Sequence, residues 1–431
     1  MGYPGNWEET DFIREIEEAE MKTLLEGIRV IDCGTYISAP AAATIMADFG
    51  AEVIKVEQPF TGDPYRNEHP SLMALHSVHG APQDDTPIAE KISPNWVIDA
   101  RNKKSIGLNL SKPEGKQVLR DLVKGADVFI TNFPLDVRER LSITQEEIRA
   151  LNPRVIYASF TGFGEVGPEA LNRGFDATVW WARSGLMDLV RTGSNPPTRL
   201  PPGLGDHNCS VSLFSSIMLA LYNREKTGEG SHVGTSLLMN GYWSNALSVQ
   251  ASFCGEPVSR QPDRKDSRIP MRNAYRCSDD RWLILSVIPD QRRWENMRDA
   301  LDSDLLDDPL FVDVASRSDN ATLVTAALDR VFETRTLKEW TQRLRSFDVT
   351  FGPVAEMHEV AEDEQARANG VFVPFENSDL MTVTSPFWVD GFDKPNPKPA
   401  PRVGQHTDEI LTELGYGVEQ QEALREAKII S

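Results

Sequence analysis

In IRVIDCGTYISAPAAATIMADFGAEVIKVE, residues 28–57, three patterns follow one another. IRVID (28–32) is a short run rich in β-branched residues, APAAATIMADFG (39–50) reads as a helix closed by Gly50, and AEVIKVE (51–57) is a second apolar run. Strand, helix and strand at this spacing make one unit of a parallel sheet. Beyond a loop rich in Pro and His (59–96), SIGLNL (105–110) reads as a strand and PEGKQVLRDLVKGA (113–126) as a helix, with Pro113 in the first turn where its missing N–H costs nothing. DVFITNF (127–133) and VIYASF (155–160) supply two further strands around ITQEEIRAL, in which Thr144 and Glu147 have the spacing of a capping box. The expected class is therefore α/β, with a mostly parallel, doubly wound sheet.

The rhythm changes after residue 260. AYRCSDDRWLILSV (274–287) reads as an antiparallel hairpin turning at Asp279 and Asp280, followed by helices near 290–301, 319–333 and 336–346. The expected organisation is an acidic extension at 1–21, a large domain with its linker at 22–261, a small α+β domain at 262–365, and a return to the large domain at 366–431 that ends in two short surface helices. A chain of 431 residues suits two to three structural units.

Lys and Arg total 45 against 65 Asp and Glu, a net charge of −20, which argues against nucleic acid or an anionic membrane as the main partner. Hydrophobic residues at 40% and charged residues at 26% place the chain among folded globular proteins. The four cysteines include no CxxC pair, so a reducing compartment is expected. The start, MGYPGNWEETDFIREIEEAE, lacks the basic and apolar regions of a signal peptide, and the uncharged run Gly234–Gly255 carries seven Ser, Asn and Gln residues within it. We read that run as a buried helix and the protein as cytoplasmic.

GFGEVG (162–167) satisfies GxGxxG after a strand, but Pro168 and Asn172-Arg173-Gly174 interrupt the long helix that a dinucleotide site needs. A tight turn that allows close backbone approach is the better reading. His76 and His79 have no companion ligands at metal spacing, so no metal site is expected, and no GxSxG occurs. In GLGDHNCSVSLFSSIMLALYN, Asp206 follows a Gly-x-Gly step and precedes an apolar helix. Two readings fit it: a helix N-cap, or a nucleophilic carboxylate that Gly203 and Gly205 leave open to substrate and the helix dipole keeps ionised. Residues 101–140 carry nine cations against five anions; these form either a solvated face or a site for a polyanionic small molecule.

In this order and spacing, LLEGIRVIDCGTYISAPAAATIMADFGAEVIKVEQPFTGD, NKKSIGLNLSKPEGKQVL, DVFITNF, LNPRVIYASFTGFG, GLGDHNCSVSLFSSIMLAL, REKTGEGSHV and GQHTDEILTELGY resemble the family III CoA-transferases over residues 25–416. The resemblance implies a Rossmann-like large domain, a smaller α+β domain, and a homodimer of two interlocked rings. It makes Asp206 the catalytic residue: the carboxylate attacks the thioester of an acyl-CoA, giving a mixed anhydride and CoA thiolate, then an aspartyl-CoA thioester, and a carboxylic acid acceptor reverses the sequence. Coenzyme A enters as substrate, with no permanently bound cofactor and no metal. By the same resemblance CoA contacts Tyr36, Ile37, Leu108, Asn132, Phe133, Arg140, Leu141, Arg173 and Leu237, with Arg140 and Arg173 on the phosphates. Backbone N–H groups near Gly205 or the 162–167 turn are the expected oxyanion donors.

Departures from the pattern are Gln58 and Ser111 at positions where the family often has a cation, and RKDSRIPMRNAYRC (264–277) in place of a Gly-rich loop. Formate or oxalate specificity is therefore not implied. The alternatives within the same fold are an acyl-CoA racemase and a non-catalytic CoA-binding relative. Racemases carry a His before the Asp of the 174–176 step and a further carboxylate near Pro289-Asp290, whereas this chain has Phe175, which takes no proton. Trp180 and Trp181 suit core packing or an acyl pocket.

Overall fold

The structure, a computed structural model, describes residues 23–68, 93–288 and 291–431. The 1–21 extension, His76, His79 and the Pro289-Asp290 position lie outside these residues. The chain divides into two compact units: one runs to Ser184 and takes in Leu200–Ala246 and Ala366–Ser431, the other consists of Gly185–Arg199 and Leu247–Gln365.

The first unit holds β1 (Arg29–Asp32), α1 (Ser38–Asp48), β2 (Glu52–Glu57), α2 (Pro94–Ala100), β3 (Lys103–Gly107), α3 (Pro113–Lys124), β4 (Val128–Thr131), α4 (Leu135–Leu141), α5 (Gln145–Leu151) and β5 (Ile156–Thr161). It continues with α6 (Leu204–Thr227), β6 (His232–Ser236) and α7 (Leu237–Ser244). The six strands form one sheet in the order β3-β2-β1-β4-β5-β6, parallel throughout. Ile31 lies opposite Ile54 on one side and Phe129 on the other, and Phe129 stacks on Tyr157 with ring centroids 5.6 Å apart. Strands β1, β2, β4 and β5 are buried along almost their whole length, which is why they read as continuous apolar runs. Every residue of α1 is buried, and its alanines let it pack closely on α6.

The strand order reverses beside β1, whose neighbours are β2 and β4. Ligands of open α/β sheets bind at the carboxyl ends of the strands where the order reverses, so the loops after β1 and β4 are placed to build a site. The Thr144–Glu147 capping box is present at the start of α5.

Three local readings change. Residues 234–255 are not one buried helix: β6 is followed by α7 and by α8 (Ala246–Phe253), and Trp243, Leu247 and Phe253 are exposed. β3 begins at Lys103 rather than Ser105, because the Lys103 side chain is drawn inside by a buried carboxylate described below. α2, capped by Ser93, begins within the stretch 59–96 read as loop and runs beyond it.

The second unit has its own core. β7 (Ala274–Arg276), β8 (Trp282–Leu285) and β9 (Phe351–Pro353) form an antiparallel sheet with α9 (Gln291–Leu301), α10 (Ala321–Phe332) and α11 (Leu337–Ser346) around Tyr275, Phe332 and Trp340. The hairpin turns at Asp280, where φ is +61°. Arg264, in the segment that replaces the Gly-rich loop, reaches both oxygens of Asp329 at 2.8 Å. After β10 (Phe372–Pro374) and β11 (Met381–Val383), the tail forms the two helices expected of it, α12 (Thr407–Glu413) and α13 (Val418–Glu426). It also sends Ile429 and Ile430 into the main core, where Asn109 N donates to Ile429 O at 2.8 Å and the edge of the sheet at β3 is covered.

Candidate active site

The loop after β1 is held by a buried set of charges. Lys55 Nζ lies 2.8 Å from Asp63 Oδ2 and 2.5 Å from the Gly34 carbonyl, and Lys103 Nζ lies 2.8 Å from Asp32 Oδ2 and 2.7 Å from the Pro40 carbonyl. Burial opposes the charge on Lys55, but Asp32, Asp63 and Glu57 outweigh it and hold the ammonium above its ordinary pKa. For Lys103 burial prevails and the pKa falls. The carboxylates also take the loop's own N–H groups: Gly34 N donates to Asp32 Oδ1 at 3.1 Å and Tyr36 N to Asp63 Oδ1 at 3.2 Å. Between them, Asn132 from the end of β4 accepts from Thr35 N at 2.8 Å and donates to Thr35 O at 2.7 Å. Tyr36 is thereby kept at φ +60°, a left-handed conformation that costs a residue with a side chain about 1 kcal/mol or more and persists only where surroundings over-determine it.

This loop delivers Ser38 to Asp206. The N-cap of α6 is Gly203, at φ +80°, so Asp206 sits third in the first helical turn and is not the N-cap. A Cβ on Gly205 would stand 2.9 Å from Asp176 Cβ and from the Trp180 ring, so only glycine lets α6 start this close to its neighbours. Asp176 accepts from Ala177 N at 2.6 Å and from Gly203 N at 2.9 Å, tying the helix start to the π-helical turn Ala177–Arg183. The Ser38 hydroxyl donates to Asp206 Oδ1. Asp206 makes no ion pair among the described residues. Burial above all, with Asp176 and Asp99 nearby, pushes its carboxyl up to about 6, against the Ser38 hydrogen bond and His207, which lower it. His207 Nε2 lies 3.1 Å from Asp99 Oδ1.

Ser38 and Asp206 line a cavity of about 510 Å³ at the carboxyl ends of β1, β4 and β5. Of the ten residues singled out from the sequence, Tyr36, Ile37, Asn132, Phe133, Arg173, Asp206 and Leu237 line it together. The other three do not. Leu108 is 1% exposed in the core beside Ile430, Leu141 packs on the same core, and Arg140 is exposed on α4, its carbonyl accepting from Lys116 Nζ.

Five of the nine cations in 101–140 are held in ion pairs: Arg101 with Asp48, Lys103 with Asp32, Lys104 with Glu52 and Glu409, Lys124 with Asp121, and Arg138 with Glu165. Arg173 is the one basic side chain among the described residues of the cavity wall. The 162–167 segment is a tight turn, with Gly164 and Gly167 at φ +100° and +96°; a Cβ on Gly162 would lie 3.3 Å from the Gly174 backbone. Trp180, stacked on Trp181, is buried under Gly205 and is not part of the wall. Among the described residues no cluster of His, Cys, Asp and Glu could hold a metal ion, and no helix is long and apolar enough to cross a membrane. Ser38, Lys55, Asp63 and the tethering role of Asp176 had no marker in the sequence: each works through a partner distant along the chain.

The model of CoA-transferase family III matches residues 25–407. The chain is 29% identical to (R)-2-hydroxy-4-methylpentanoate CoA-transferase of Clostridioides difficile over 94% of its own length and 99% of that protein's. It is 28% identical to cinnamoyl-CoA:phenyllactate CoA-transferase of Clostridium sporogenes, over 94% and 97%. A CAIB/BAIF family protein from Brucella suis has the same fold, with a TM-score of 0.79 at 24% identity over 91% of this chain and 99% of that one. Fold, site and relatives agree, and the chain is an enzyme belonging to CoA-transferase family III.

Proposed function

We propose that the enzyme moves CoA from an acyl-CoA donor to a carboxylic acid through covalent intermediates on Asp206. The observation that carries this reading is the Asp206 carboxylate itself: it lines the cavity, lacks a cationic partner among the described residues, and is oriented by a hydroxyl. An anionic carboxylate with no salt bridge keeps its nucleophilicity. It attacks the thioester carbonyl and expels CoA thiolate; the thiolate then attacks the aspartyl carbonyl of the anhydride and releases the donor's acid. The acceptor acid takes the same path in reverse. Each step exchanges one acyl bond for another of similar energy, so the chemistry calls for no external energy source.

In this reading the pantetheine arm runs past Tyr36, Ile37, Phe133 and Leu237 toward Asp206, and Arg173 meets the phosphates at the mouth. Asn132 acts on the arm through the loop it clamps. Arg140 would reach only the outer end of the nucleotide, and the Leu108 and Leu141 side chains stay in the core. The functional unit is a homodimer, and a reducing cytoplasm suits the four free thiols.

Incubation with acyl-CoA and hydroxylamine should leave a hydroxamate on the Asp206 peptide. Asp206→Ala should lower CoA transfer by about 10⁴-fold or more. Full transfer by that variant would overturn the assignment.

A further inference from the structure

The Ser38 hydroxyl is aimed at the aspartyl oxygen on which charge develops once in each half-reaction. Ser38 opens α1, is 2% exposed, and donates to Asp206 Oδ1. Asp206 Oδ2 receives no hydrogen bond from the described residues, which leaves it as the attacking oxygen. Three other polar side chains near the carboxylate are committed elsewhere: Asp176 to Ala177 N and Gly203 N, Asn132 to Thr35, His207 to Asp99. The N-terminal turns of α1 and α6 add the positive ends of two helices.

We propose that Ser38 is the oxyanion donor for the aspartyl half of the reaction, a role that rests on Asp206 being the nucleophile. Once Oδ2 has attacked the donor, Oδ1 is the carbonyl oxygen of the mixed anhydride, still under the Ser38 hydroxyl. CoA thiolate then adds to Cγ: the C–S bond forms and the carbonyl pair moves onto Oδ1. The pair returns, the bond from Cγ to the bridging oxygen breaks, and the acid leaves as its carboxylate. When the acceptor carboxylate adds to the aspartyl-CoA thioester, the pair again moves onto Oδ1, and its return expels the thiolate. Both tetrahedral species carry their negative charge where Ser38 donates, within a site that partly excludes water. The initial attack on the donor thioester places its oxyanion on the substrate, outside the reach of this hydroxyl.

Ser38 also bears on the ionisation of Asp206, together with the other groups that face it. Asp176 and Asp99 raise the carboxyl's pKa, His207 lowers it, and Tyr65 and Cys209 are neutral neighbours that feel its charge. Removal of the hydroxyl takes away a hydrogen bond to the charged form.

The test compares Ser38→Ala and Ser38→Thr with the wild type in steady-state CoA transfer across pH. The alanine variant should lose roughly 10²-fold in kcat with KM for acyl-CoA changed by less than about threefold, and the acid limb of its pH profile should move up. Threonine, which keeps the hydroxyl, should recover most of the rate and restore the limb. Ser38→Cys, similar in volume and weaker as a donor, should fall between them, and it carries the test if the alanine variant fails to fold. An alanine or cysteine variant with kcat within about twofold of wild type and an unmoved acid limb would overturn the proposal. Retained transfer in Asp206→Ala would instead overturn the nucleophile assignment on which it rests.

Discussion

At the scale of single residues, Asp206 is held in a state that favours chemistry over stability. Its carboxyl sits at about 6 in the folded chain against 3.8 for the free side chain. The folded state therefore binds the proton more tightly than the unfolded one, so this group's contribution is best below about pH 4 and is lost as pH rises through about 6. Above that window the ionised carboxylate costs about 1–3 kcal/mol, after allowance for the part that solvent reaches. Asp206→Asn should accordingly melt higher than wild type at pH 8, show no advantage near pH 3.5, and transfer no CoA. Matched thermal melts at the two pH values check this, and a variant less stable at pH 8 would contradict it. The aspartate was legible because Gly203, Gly205 and a long apolar helix surround it in sequence. Ser38 was not, since it lies 168 residues away and reads as an ordinary helix-start serine.

At the scale of elements, the site depends on how close α6 comes to the turn that follows β5. Gly205 is the contact point, facing Asp176 and Trp180 at 2.9 Å with no room for a methyl group. Gly205→Ala should destabilise the protein by about 1–3 kcal/mol. It should also lower kcat more than KM, because the shift of α6 carries Asp206 away from Ser38. Denaturant unfolding with steady-state kinetics measures both, and a stable variant with unchanged kcat would show the contact to be slack. Strands β1 to β5 were readable as apolar runs because both faces of a parallel sheet are buried. β6 was not: His232, Val233 and Gly234 alternate exposed and half-buried at the sheet edge, so the run carries no continuous apolar signal.

At the scale of the whole molecule, charge and apolar surface point in different directions. The net charge of −20 keeps polyanions away from most of the chain, yet Arg101, Lys103, Lys104, Lys124 and Arg138 of the cationic 101–140 stretch are bound to carboxylates of the same chain. Arg173 is left to supply the positive charge at the cavity. Leu219 and Trp243 in the first unit, and Leu247 and Phe253 in the second, are each at least 71% exposed. The homodimer proposed above would give such side chains a partner. Light scattering should give twice the 48.1 kDa chain mass, and a fully active monomer at micromolar concentration would rule the dimer out.

The sequence by itself determined the α/β class, the succession of the main strands along the chain, the second unit's hairpin and helices, and the position of Asp206. Those features rest on periodicity, turn residues and motifs confined to neighbouring positions, where local physics is sufficient. Only the tertiary structure decided the partners of Lys55 and Lys103, the fate of the 101–140 cations, the burial of Leu108 beneath Ile430, and the meeting of Ser38 with Asp206. A charged or hydroxyl side chain looks the same in sequence whether it faces water or a buried partner. The partner is chosen by the folding of the sheet, which brings together loops that chain order keeps far apart.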